Sequence, residues 1–132
     1  MKERRQRAIL ELVRGAPVQT QQELARALAE RGFRATQATV SRDVQELGLI
    51  RTGAGYREAA WIASQLVLSV RQVEFLVVVR TTPGSANLVA RAVDESELEG
   101  VVGTVAGDDT ILVVLADHAA GGTLRRFLGA GA

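Results

Sequence analysis

Through the first fifty residues the apolar positions recur at helical spacing. Ala8, Ile9, Leu12 and Val13 follow an i, i+1, i+4, i+5 pattern, Leu24, Ala25, Leu28 and Ala29 repeat it, and Val40, Val44 and Leu47 fall at i, i+4, i+7. The spacing predicts three short helices. Thr20-Gln-Gln-Glu23 has the form of a capping box, in which the threonine oxygen and the glutamate carboxylate each take a free amide, so the second helix starts there. Gly32 suits the end of that helix, and Thr36 suits the N-cap of the third. Beyond Gly48, Leu49-Ile50-Arg51, then Thr52-Gly53-Ala54-Gly55, then residues 56–62 read as a hairpin with a flexible tip. Three helices followed by a hairpin make a winged helix-turn-helix.

From residue 66 the period becomes that of strands. Segments 66–70, 74–81, 100–106 and 110–116 are rich in β-branched residues and bounded by turn signals. Pro83-Gly84 opens a helix running to residue 95, with Leu88, Val89, Ala92 and Val93 on one face, and a weaker helix spans 119–128 before a Gly-Ala tail expected to fray. The predicted fold class is therefore α+β. A winged helix-turn-helix domain covers residues 1–62, and a ββαββα domain with a four-stranded antiparallel sheet and two helices covers 63–132. Phe75-Leu-Val-Val-Val79 and Ile111-Leu-Val-Val-Leu115 lack the polar alternation of a sheet with one wet face, so both faces must be dry. Two helices can cover one. The other would be a large bare apolar patch, so a second subunit is expected to cover it, with the first domain as the competing cover.

Charge sharpens this division. Over all 132 residues the formal net charge is +1, which says nothing until it is divided. Residues 1–62 hold eleven basic and seven acidic side chains, a balance of +4, and residues 63–132 hold five and eight, a balance of −3. The two halves should meet different partners. The absence of cysteine excludes disulfides, zinc ribbons and thiol catalysis, and the single histidine, His118, leaves no imidazole pair for a metal. The N-terminal stretch AILELVRG carries Glu11 and Arg14 and cannot be the core of a signal peptide, and the longest apolar run, residues 111–116, is too short to span a bilayer. A soluble cytoplasmic protein without a membrane partner is expected.

The third helix, with Val40, Val44 and Leu47 turned inward, leaves Gln37, Thr39, Ser41, Arg42 and Gln45 on or near its outer face. Arginine can make two bonds to guanine in the major groove, glutamine can do so to adenine, and hydroxyls reach bases or phosphates. Solvated polar residues are common on any outer face, but here they sit on the second helix of a helix-turn-helix, in the basic half, near Arg4, Arg5 and Arg7. Arg51 and Arg57 on the wing are candidates for the adjacent backbone. In the second half, Gly103-Thr-Val-Ala-Gly-Asp-Asp-Thr110 joins two strands, and Gly107-Asp108-Asp109 is a good turn sequence in its own right. If that turn is shielded at an interface, Asp108 and Asp109 want a cation. A ligand with a guanidinium and an ammonium supplies two charges and several donors, whereas two carboxylates with few other oxygens make a poor cage for a hard metal ion. Asn87 and Asp94 lie on one stripe of the preceding helix, two turns apart.

These segments resemble the bacterial arginine repressor family over nearly the whole chain. Thr36-Gln-Ala-Thr-Val-Ser-Arg-Asp43 resembles its recognition helix, Thr82-Pro-Gly-Ser-Ala86 its helix start, and Gly103-Thr-Val-Ala-Gly-Asp-Asp-Thr110 its signature loop. The resemblance implies a winged helix that binds double-stranded operator DNA and a C-terminal domain that forms trimers, with L-arginine as corepressor favouring their pairing into hexamers. It implies DNA contact by Ser41 and Arg42 and arginine binding by Asp108 and Asp109. Asn87 stands where many members carry glutamine, and Asp94 matches an acidic position at the ligand site. The expected function is arginine-dependent repression of arginine metabolism genes, with no other cofactor and no metal. The alternative is an architectural or recombination accessory protein that binds DNA without an arginine switch. An enzyme is disfavoured, since Asp108, Asp109 and His118 lack a partner base or nucleophile at recognisable spacing.

Overall fold

The computed structural model describes residues 1–129, so positions 130–132 of the tail expected to fray lie outside the described residues. The chain forms two compact units, Met1–Glu58 and Ala59–Ala132. The first contains α1 (Lys2–Gly15), α2 (Gln21–Glu30), α3 (Gln37–Glu46) and the antiparallel pair β1 (Leu49–Thr52) and β2 (Gly55–Glu58). The helical stripes close on one another: Ala8, Ile9, Val13, Leu24, Leu28, Val40 and Val44 form a single core with Leu49 and Tyr56 of the hairpin.

Local signals set the helix ends. Thr20 Oγ1 accepts from the Glu23 amide at 3.0 Å, while the Glu23 carboxylate takes the Gln19 amide, also at 3.0 Å, rather than that of Thr20. At the far end of α2 the Phe33 amide donates to the Leu28 carbonyl and the Gly32 amide to that of Ala29, with Gly32 at φ +88°. That is a Schellman motif, and it turns the chain into α3. The wing tip, expected to be flexible, is hydrogen-bonded: Thr52 Oγ1 donates to the Gly55 carbonyl at 2.7 Å and accepts from the Ala54 amide at 3.1 Å. Gly55 sits at φ +97°, and a Cβ there would lie 2.9 Å from the Val18 nitrogen, so only glycine lets the wing close on the 16–18 loop.

The second unit begins with a helix where the sequence reading placed the end of a strand. Residues 59–62 belong to α4 (Ala59–Leu66), which packs on α5 and α6, so the division by contacts falls after Glu58 and not after Ile62. The order is then β3 (Val67–Val73), β4 (Leu76–Thr81), α5 (Ala86–Glu95), β5 (Val101–Ala106), β6 (Thr110–Leu115) and α6 (Ala120–Leu128). Three helices therefore serve this unit instead of two. Its antiparallel sheet runs β3-β4-β6-β5.

Two further boundaries moved for physical reasons. Strand β4 starts at Leu76 and not at Glu74, because Glu74 and Phe75 make a two-residue turn with Glu74 at φ +55°. Pro83-Gly84 does not open α5. It forms the middle of a turn, with Gly84 at φ +77° and the Ser85 amide on the Thr82 carbonyl, and the helix starts at Ala86.

Helices α5 and α6 lie against one face of the sheet, where Val77, Val79, Ile111, Val113 and Leu115 are buried. On the other face two rungs cross all four strands. One runs Arg71, Val78, Leu112, Val105 and the other Val73, Leu76, Val114, Gly103. Leu112 and Val105 are 40% and 66% exposed. The helices of this unit therefore leave this face bare, whereas its apolar composition is that of a buried surface.

Candidate functional site

Helix α3 is capped by Thr36, whose Oγ1 accepts from the Thr39 amide at 3.2 Å and lies 3.0 Å from the Thr39 hydroxyl. Burying Val40 and Val44 leaves Gln37, Ser41, Arg42 and Gln45 exposed, with Thr39 partly so, and Arg51 of β1 is exposed as well. Those of α3 present one arginine, two amides and two hydroxyls on consecutive turns of one short helix, a set able to bond base edges and phosphate.

Arg57 is half-buried, and its Nη1 donates to the Val13 carbonyl at 2.6 Å near the end of α1, so it joins the wing to α1. Arg5 is likewise held within the domain. Its guanidinium forks onto the carboxylate of Asp43, with Nη2 to Oδ1 at 3.0 Å, and Gln6 Nε2 donates to the same Oδ1 at 3.0 Å and to Glu46 at 2.9 Å. Lys2 pairs with Glu46 at 3.0 Å. The Asp43 side chain is only 2% exposed. Arg4 and Arg7 instead line a cleft of about 220 Å³ with Ala8, Glu11, Arg31 and Phe33.

This network was missed in the sequence although a signal existed. Val40, Asp43, Val44 and Leu47 together make a complete i, i+3, i+4, i+7 stripe, and a carboxylate on a buried stripe requires a cation. Burial pushes the Asp43 carboxyl up, but the hydrogen bonds from Arg5 and Gln6 and the charges of Arg5 and Lys2 outweigh that and hold it below the usual aspartate range. Because the folded value lies below the unfolded one, the pair's contribution to stability is complete above the unfolded range and is lost as pH falls through the lowered value.

In the second unit the turn between β5 and β6 is fixed by main-chain atoms. The Asp108 carbonyl accepts from the Ala86 amide at 3.2 Å, the Asp109 carbonyl from the Thr81 amide at 2.8 Å, and the Gly107 amide donates to the Thr110 carbonyl at 2.8 Å. Strand β4, the start of α5 and the turn are thus one rigid corner. The carboxylates are left over: Asp109 Oδ1 accepts only from the Thr110 hydroxyl at 3.0 Å, and that of exposed Asp108 has no partner among the described residues. Asn87, exposed on the first turn of α5, follows directly on Ala86 and so belongs to this corner. Asp94 does not. It stands seven residues on, roughly 10 Å along the helix, where it accepts from Thr104 Oγ1 at 2.9 Å. Among the described residues no group of three or more His, Cys, Asp or Glu could hold a metal ion, and no helix is long and apolar enough to cross a membrane.

Residues 1–64 match the family model described as arginine repressor, DNA binding domain, and residues 63–128 match that described as arginine repressor, C-terminal domain. A protein of Moorella thermoacetica named arginine repressor is 45% identical, with 96% of each chain covered. One of Solibacter usitatus with the same name is 46% identical over 86% of this chain and 84% of its own. A third, of Pelotomaculum thermopropionicum, is 42% identical with 96% of both covered.

Proposed function

The chain belongs to the arginine repressor family, and from that premise we propose that it is an arginine-dependent repressor of arginine metabolism genes acting in the cytoplasm. In this reading L-arginine binds where C-terminal units of different copies meet. The carboxylates of Asp108 and Asp109 take its guanidinium and ammonium, Asn87 adds a polar contact at the same corner, and Asp94 serves the ligand from farther along α5. The winged helix reads operator DNA through Gln37, Thr39, Ser41, Arg42 and Gln45, with Arg51 on the phosphate backbone, while Arg57 holds the wing in place.

The observation that carries this reading is the β5–β6 turn. Its main chain is held to Thr81 and Ala86, yet two adjacent carboxylates remain for a cation, and they border a bare apolar face. Copies meeting on that face would lower the dielectric around the pair and strengthen its hold on a guanidinium. Trimers, and hexamers with arginine bound, would then join several heads that each bind DNA weakly, so that effective concentration makes operator occupancy follow arginine.

A titration of the full chain with L-arginine, L-lysine and L-citrulline, reading assembly mass and operator affinity together, tests the proposal. L-Arginine should raise both. Lysine keeps the charge but loses the planar fork, and citrulline keeps the shape but loses the charge, so each should be much weaker. DNA binding that ignores all three ligands would favour the architectural alternative instead. For the DNA half, Arg42→Ala should cost roughly 1–3 kcal/mol on operator DNA if the contact is bidentate to a base. Equal weakening on random duplex in a gel-shift comparison would make it a phosphate contact.

A further inference from the structure

Two acidic side chains, Asp43 and Glu46, stand on the helix assigned to DNA, where their charge opposes phosphate. Both are answered from α1: Asp43 by the fork of Arg5 and by Gln6, Glu46 by Gln6 and Lys2. Asp43 is immediately next to Arg42 in sequence, yet it points the other way, into the domain. An apolar residue at that position would complete the stripe of Val40, Val44 and Leu47, and replacing a buried ion pair by apolar packing is commonly neutral or stabilising. Stability alone therefore does not account for a carboxylate there. Apolar burial is non-directional, whereas a bidentate fork is directional and fixes register.

We infer that the clasp of Asp43 by Arg5 and Gln6 is a positioning device that sets the rotation of α3 about its axis, and with it the reach of Ser41 and Arg42. Asp43 is thus a specificity-determining residue that never touches DNA. The inference rests on the DNA-binding reading of α3. It separates two quantities that usually move together. A helix released from its clasp still carries a basic domain to phosphate, so non-specific attraction persists, while the geometry needed to read base edges is lost.

The test compares the full-length chain with its Asp43→Asn variant, both in L-arginine and both confirmed as folded by circular dichroism. Affinity is measured for a duplex that the parent chain selects from a random pool and for a scrambled duplex of the same composition. For the variant the selected duplex should bind at least about tenfold more weakly, the size of one lost base contact, while the scrambled duplex holds or gains because a negative charge has gone. Loss of both affinities by one factor, as partial unfolding produces, overturns the inference, and so does an unchanged ratio. If Asp43→Asn does not fold, Arg5→Gln at the partly exposed partner carries the same comparison, and its ratio of selected to scrambled affinity should fall by a similar factor. A parent chain that enriches no duplex overturns the DNA-binding reading itself. A parent that enriches one, beside a variant that keeps its ratio, overturns the clasp alone.

Discussion

Replacing Asp108 and Asp109 together by asparagine should abolish the response to L-arginine while leaving the fold intact. Hydrogen bonds to a charged group are worth about 1.5–3 kcal/mol each, so losing two ionic acceptors should weaken arginine binding by roughly a hundredfold to twenty-thousandfold. The fold is spared because the turn does not depend on these carboxylates. Its bonds to Ala86 and Thr81 use the carbonyls of residues 108 and 109, and an asparagine Oδ1 can still accept from the Thr110 hydroxyl. Calorimetry of L-arginine binding, paired with gel shifts at zero and saturating arginine, reads the effect. An arginine affinity within threefold of the parent's would remove these residues from the site.

The second large effect should come from the bare face of the sheet. Leu112 sits on central strand β6, opposite Val78 on one side and Val105 on the other, between the apolar members of a rung that ends in Arg71. Leu112→Arg puts a charge there at little cost to the single chain, since the position is already 40% exposed. In an assembly the same charge would be desolvated without a partner, costing several kcal/mol, and symmetry repeats that cost at every copy. The mass at micromolar concentration should fall to that of the monomer, and operator affinity should drop by about a hundredfold as linked heads become separate ones. Sedimentation analysis decides the point. A parent chain that is already monomeric with arginine, or a variant that still assembles, would sink the assignment of this face to self-association.

How far the sequence alone could be followed depended on whether the signal was local. The stripes of α1, α2 and α3 were legible because each buries one face in a common core. The cap of Thr20 and the stop at Gly32 were legible because their chemistry lies within a few residues. Helix α4 is masked in the sequence, although Ala59, Ile62, Ala63 and Leu66 have helical spacing, because it follows without a break on the extended segment that Tyr56 and Arg57 begin. The turn at Glu74 was invisible for a different reason: it holds a left-handed backbone without glycine or asparagine to announce it. At the candidate sites, exposed residues of α3 and the carboxylates of the β5–β6 turn could be named in advance, since composition and turn chemistry point to them. The roles of Arg5 and Arg57 could not. Both look like surface cations in the sequence, and only the fold brings them to a buried carboxylate and to a helix carbonyl.

The corner formed by Thr81, Ala86 and the β5–β6 turn has an evolutionary consequence. Its shape is specified by amides and carbonyls that every amino acid except proline supplies, so residues 108 and 109 can change identity without the loop changing course. With L-arginine on these carboxylates, as proposed, effector choice would be decoupled from foldability. A lineage, or a designer, could exchange the two carboxylates for amides or cations and explore neutral or anionic metabolites on the same corner, with selection acting on the signal and not on the stability of the subunit.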